Sequence, residues 1–138
     1  MSLHDPKRTD INVAIVGVGN CASSLVQGIA HYSNGGANAQ IGLSHWDLGG
    51  YRPKDLKVVA AWDIDRRKVG RDVADAIFAP PNCTTVFCDH VPETGTRVRM
   101  GRVLDGVAEH MREWPEERTF MLSDRQREPT KDEIVEVL

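Results

Sequence analysis

The 138-residue sequence predicts an α/β fold built on a parallel β-sheet, and three observations carry that expectation. Residues 11–16, INVAIV, form a near-continuous apolar, β-branched run of strand length, the pattern of a strand covered on both faces. Gly17-Val18-Gly19-Asn20 breaks the run, and from Cys21 to about Tyr32 the apolar residues Ala22, Leu25, Val26 and Ile29 recur at helical spacing. A second run, Leu56 to Ile64 (LKVVAAWDI), has the composition of another buried strand.

The remaining elements follow in order. Residues 1–10 are polar and read as a disordered leader. Asn20 is the expected N-cap of the first helix. Residues 33–55 hold Gly35-Gly36, Gly42, Gly49-Gly50 and Pro53, and read as an inserted loop between helix and strand. Asp65 is placed to cap a second helix through Lys68, Val69, Val73, Ala76 and Ile77, stopped by Pro80-Pro81-Asn82. Thr84 to Cys88 (TTVFC) is expected as a third, shorter strand, and Val103 to Met111 as a helix. Residues 112–129 read as a charged loop broken by Pro115 and Pro129. Thr130 and Glu133 form a T-x-x-E capping box ahead of Ile134, Val135 and Leu138.

Bulk properties exclude several function classes. A net charge of −3 with no Lys/Arg stripe argues against nucleic acid as a partner, and Arg66-Arg67 reads as solvated surface. No apolar run approaches the ~20 residues of a membrane helix, and the leader has no signal-peptide core, so a cytoplasmic protein is expected. Three cysteines without CxxC spacing argue against a disulfide framework. Cys83, Cys88, Asp89 and His90 could be read as metal ligands. Their spacing matches no zinc pattern, and two small thiols beside a turn is the simpler reading, so no metal is expected.

The chemistry sits in Gly17-Val18-Gly19-Asn20-Cys21-Ala22, a G-x-G-x-x-A stretch between strand and helix. Gly17 permits the tight turn, Gly19 lets backbone approach a diphosphate, and Ala22 is small enough for the helix to pack on the strand. Helix N–H groups at Asn20, Cys21 and Ala22 would then face the phosphates. A glycine pair alone is a common tight turn; strand before, helix after and an acid-ending second strand make it a dinucleotide fingerprint. Asp63 is that acid. It can accept from the ribose hydroxyls and repels a 2′-phosphate, which favours NAD over NADP. Arg66 and Arg67 pull the other way, but Asp63 sits where the ribose would lie. Asp63 lies 46 positions after Gly17, more than the ~20 of a compact motif, and the 33–55 loop accounts for the excess.

That insertion and the flanking segments resemble a known family. VAIVGVGNCASSLVQGI, GLSHWDLGGY (42–51), VVAAWDID (58–65), KVGRDVADAIFAPPNCT (68–84) and GRVLDG (101–106) closely resemble myo-inositol-1-phosphate synthase (inositol-3-phosphate synthase), particularly its bacterial form. The resemblance runs from Asn12 to about Gly106 and less distinctly through residues 122–124. It implies a Rossmann-like NAD-binding fold, present here as its first βαβαβ half plus a C-terminal helix, in the strand order 3-2-1. It further implies NAD as cofactor, with Gly17, Gly19, Asn20, Cys21 and Ala22 at the pyrophosphate and Asp63 and Ile64 at the adenosine half. The family converts D-glucose 6-phosphate to inositol phosphate by oxidation, aldol cyclisation and reduction, and is homo-oligomeric. Its catalytic lysines lie in a second domain, so no catalytic residue is carried onto this chain, and residues 11–138 read as a truncated NAD-binding domain. Glucose 6-phosphate is a partner only where that second domain is present. His45 falls near a matching family position, although an ordinary loop histidine is the simpler reading. His4, His31, His90 and His110 support nothing stronger. The runner-up is a free-standing NAD-binding module, regulatory or scaffolding, without catalysis.

Overall fold

The apolar run at the start of the chain does form a strand, and the rest of the fold is arranged around it. The computed structural model describes residues 10–34 and 40–138. The expected leader, apart from Asp10, and residues 35–39 of the 33–55 loop lie outside the described residues. Strand β1 (Ile11–Val16) leads through the glycine turn into helix α1 (Asn20–Asn34), and strand β2 (Leu56–Asp63) returns parallel to β1. The register pairs Ile11 with Leu56 and Val16 with Trp62, with one irregularity between Val13 and Ala14. A short strand β3 (Arg99–Met100) adds parallel to β2, giving the order β1-β2-β3. This is the expected Rossmann-like order, three parallel strands with β2 central.

One core joins the sheet to its helices. Ile15, Val18, Ala22 and Val26 pack with Ala61, Val73, Ala76, Ile77 and Val98. The expectation that β1 is covered on both faces is not met: Ile15 is buried, but Ala14 and Val16 are exposed, Val16 by 85%. The face carrying Val13 and Ile15 packs on the core, and among the described residues no layer covers the face carrying Ala14 and Val16.

The third strand is a correction. Thr84 to Cys88 joins no sheet; it runs beside α1 and is fastened there by side chains. Gln27, fully buried, accepts from Phe87 N at 2.9 Å and Cys88 N at 3.1 Å and donates to Thr85 O at 3.4 Å. The strand role falls to residues 97–100, where Val98 and Met100 are buried between exposed Arg97 and Arg99. Short apolar runs are ambiguous in sequence because a buried side-chain amide can satisfy an extended backbone as well as a neighbouring strand can.

Three helix expectations also shift. Residues 65–71 form turns closed at Gly70, whose φ of +90° no L side chain adopts easily. The second helix, α2, spans only Val73–Ala76 and is capped by Asp72, which accepts from Ala74 N at 2.8 Å. Asp65 therefore caps no α-helix, although its Oδ1 accepts from Arg67 N at 2.8 Å in the turn that follows. Val103 to Met111 is not an α-helix: Leu104 has a φ of +48°, Gly106 N bonds back to Val103 O, and a 3-10 turn follows at Glu109–Glu113. The charged stretch after it holds a second 3-10 turn, Glu116–Arg118. Helix α3 (Lys131–Val135) starts as expected, with Glu133 N donating to Thr130 Oγ1 and Thr130 N donating to Glu133 Oε2.

Candidate dinucleotide site

The turn from β1 into α1 is built by contacts from three directions. Gly17 adopts a φ of +89° and donates from its N–H to Trp62 O at 2.8 Å, so the turn continues the β1–β2 ladder before leaving it. Val18 is fully buried; its N–H donates to Asp63 Oδ2 at 2.7 Å and its carbonyl accepts from Lys68 Nζ at 2.6 Å. The first helical bond runs from Ser23 N to Gly19 O. Gly19 thus takes the cap position and Asn20 is the first helical residue, which corrects the expected N-cap. The Asn20 amide turns instead to the 80–83 segment, accepting from Cys83 N at 2.9 Å and donating to Cys83 Sγ at 3.0 Å. Ala22 is buried in the core, in agreement with its packing role, and Cys21 is exposed.

Two features of the turn bear on what it could hold. The N–H groups of Gly19, Asn20, Cys21 and Ala22 have no acceptor among the described residues, at the positive end of a 15-residue helix. A Cβ built on Gly19 would meet nothing within 4 Å, and its φ is not in the left-handed region, so neither packing nor backbone geometry demands glycine there. Above it lies a groove of about 710 Å³, within the usual range of ligand sites. It is lined by Gly19 and Asn20, by Pro81, Asn82 and Cys83, and by Met111, Trp114, Glu117, Arg118 and Phe120.

Asp63 is placed beneath the turn rather than in the open groove. It is 7% exposed, and both carboxylate oxygens accept backbone N–H groups, Oδ2 from Val18 and Oδ1 from Asp65 at 2.8 Å. Ile64, half-buried, points at Gly106, where a Cβ would come within 2.8 Å of its Cδ1. The turn residues and Asp63 are therefore in direct contact, while the Ile64 side chain faces the 101–108 segment.

Arg67 was expected on the solvated surface and is instead half-buried against Asp65, with Arg67 Nη2 to Asp65 Oδ2 at 2.6 Å. Arg67 also donates to Glu116 O and Thr119 O, and Asp65 accepts from Met121 N, so this pair anchors the groove's second wall to the loop after β2. Burial pushes the Asp65 carboxyl up, but the Arg67 guanidinium and the N–H groups of Met121 and Arg67 outweigh it and hold the group below the usual carboxylate value. Arg66 is exposed.

Sequence reasoning missed Lys68 as part of this site. It is 1% exposed and donates both to Val18 O and, at 3.2 Å, to Pro81 O. Burial pushes its amine below the ordinary lysine value, partly opposed by Asp63 and Asp65. The signal was present: Lys68 shares the spacing of Val69, Val73, Ala76 and Ile77, all of which are core. Among the described residues no three His, Cys, Asp or Glu side chains gather as metal ligands; Cys83 pairs with Asn20, and Cys88 Sγ donates to His90 O. His45, His90 and His110 are exposed, and exposed His31 makes edge contacts with Tyr32 and Phe87. No described helix is long and apolar enough to cross a membrane.

No family model matches the chain. Inositol-3-phosphate synthase of Corynebacterium glutamicum is 47% identical over 110 residues, which is 79% of this chain and 30% of that protein. The Mycolicibacterium smegmatis enzyme of the same name is 49% identical over 102 residues, 73% of this chain and 28% of the relative. A crystal structure of Ari2 superposes with a TM-score of 0.60 at 34% identity, over 71% of this chain and 30% of that one. The chain thus spans about 30% of the length of the curated relatives it matches. Over the stretch they share, it belongs to the inositol-3-phosphate synthase family.

Proposed function

We propose that this chain is the NAD-binding portion of an inositol-3-phosphate synthase. The observation that carries the reading is Gly19: a glycine the protein's own packing does not need, beside four N–H groups without acceptors, at the mouth of a groove. A diphosphate ester approaching that backbone accounts for all three. The residues fit the cofactor in chemistry as well. Gly17, Gly19, Asn20, Cys21 and Ala22 present backbone to the pyrophosphate, and the groove's Trp114 and Phe120 offer faces for a planar base. Asp63 shapes the turn through Val18 and sets a negative charge next to Ile64 on the adenosine side, which favours a ribose hydroxyl over a 2′-phosphate.

When bound, NAD would supply a reversible hydride acceptor, the chemistry needed to turn D-glucose 6-phosphate into inositol phosphate without net redox change. In that scheme the described residues bind and orient the cofactor, and the lysines that move protons belong to the family's second domain. A soluble, cytoplasmic protein fits this reading.

Gly19→Ala tests it. The added methyl meets no protein atom, so folding stability should change by no more than about 1 kcal/mol. NAD affinity in calorimetry should fall about tenfold or more, because the methyl stands where the phosphate comes. NADP should bind more weakly than NAD to the unaltered chain. A variant that binds NAD as well as the parent, or equal affinities for the two nucleotides, would overturn the assignment.

A further inference from the structure

Lys68 is a buried cation that the cofactor reading leaves without a role. Its Nζ joins two parts of the site: the turn, through Val18 O, and the 80–83 segment, through Pro81 O. Pro81, Asn82 and Cys83 line the same groove as Gly19 and Asn20. Val18 is consequently held at both ends, its N–H by Asp63 and its carbonyl by Lys68. A residue fixed at both groups cannot turn its peptide planes, so the N–H groups that follow keep one direction. The charged groups facing Lys68 are Asp63 at the end of β2 and Asp65 and Arg67 on the loop after it. Asp65 is paired with Arg67, and Asp63, held by two N–H donors, keeps its negative charge opposite Lys68, so Lys68 is the cation bonded to the turn's own backbone.

We infer that Lys68 is a positioning residue for the pyrophosphate: its ammonium fixes the Val18 carbonyl and places a positive charge under the turn that receives the phosphates. This rests on the NAD reading above. A buried ammonium gains a counter-charge when a diphosphate binds, so binding and protonation of Lys68 favour each other. Since burial lowers the amine below the ordinary lysine value, the free protein releases this proton earlier than a surface lysine would. NAD affinity should therefore be greatest with Lys68 protonated and decline as pH rises through that lowered value.

The test titrates NAD by calorimetry from about pH 7 to about pH 9.5 into the unaltered chain, Lys68→Met and Lys68→Arg, with circular dichroism to verify folding. Lys68→Met should bind about tenfold more weakly at neutral pH, and its disadvantage should shrink as pH rises. Lys68→Arg, charged throughout, should lose less affinity over that range than the parent. All other groups are common to the three proteins, so the differences between profiles isolate position 68. Lys68→Met within twofold of the parent, or parallel pH profiles for the parent and whichever variant folds, would overturn the inference while leaving NAD binding intact. No binding of NAD to the parent would instead remove the cofactor reading itself, and this inference with it.

Discussion

Two ion pairs of the same chemistry sit in opposite surroundings. Asp65 and Arg67 meet behind the groove, where the aspartate side chain is fully buried and the arginine side chain 19% exposed. Glu133 and Arg127 meet at the start of α3, in open solvent. Arg67 spends its remaining donors on two backbone carbonyls that fix the 116–121 segment, whereas Arg127 adds one contact to the neighbouring Glu128 carbonyl. The first pair ties together stretches about fifty residues apart; the second reinforces a capping box already closed by Thr130. Identical groups thus become a tertiary clamp in one place and a local ornament of a short helix in the other, because only the first is removed from water and its alternatives.

The sharpest way to break the comparison is to remove one buried partner. Asp65→Asn should cost about 3 kcal/mol or more in urea denaturation followed by tryptophan fluorescence, since Arg67 is left without its counter-charge. A loss below about 1 kcal/mol would reduce the buried pair to the standing of a surface one.

Acid should act next. Asp65 and Asp72 both lie below the usual carboxylate value: burial raises each, and donated N–H groups, with Arg67 for Asp65 and Thr94 for Asp72, outweigh it. A carboxyl depressed in the folded chain adds stability that is complete above its unfolded value, about 3.8. That stability is lost as pH falls through the folded value. Urea midpoints should therefore be level around pH 5–6 and fall below about pH 4, less steeply in Asp65→Asn; an unchanged slope in the variant would remove Asp65 from the acid limb.

The smallest effect belongs to the exposed pair. Its Arg127 partner, then the Thr130 N–H, draw the Glu133 carboxyl down to about 2. Glu133→Gln should shift the urea midpoint only slightly, and about 0.5 M salt should abolish the difference, since exposed charges are screened at that strength. A salt-insensitive loss would mean that the capping geometry and not the charge is what Glu133 contributes.

Legibility in the sequence followed the range of the interactions. β1, α1 and β2 were readable because long apolar runs, a glycine turn and helical spacing are local signals that tertiary contacts reinforce. The capping box of α3 was readable for the same reason. The third strand was misplaced because Thr84–Cys88 looks more strand-like than Arg97–Met100, and only the buried Gln27 side chain explains why the former stays outside the sheet. The alternation of Arg97, Val98, Arg99 and Met100 was the signal that could have located it. Within the site, the glycines and Asp63 were evident from their motif. Lys68 and Arg67 were not, since the roles of both depend on carbonyls remote in the chain, at Val18 and Pro81 for one and at Glu116 and Thr119 for the other.

Gln27 also bears on how such a chain can drift over evolutionary time. Besides Ser23 Oγ, its amide bonds to the main chain of residues 85–88 and to none of their side chains, so mutation there leaves those three hydrogen bonds intact as long as the new residue keeps its N–H. Val86 and Phe87, both about half exposed, are accordingly free to vary. Gln27 is not: neither a shorter amide nor a carboxylate could both accept from Phe87 and Cys88 and donate to Thr85 in the same place. Tolerance to change is thus concentrated in the segment being held, and intolerance in the single side chain that holds it.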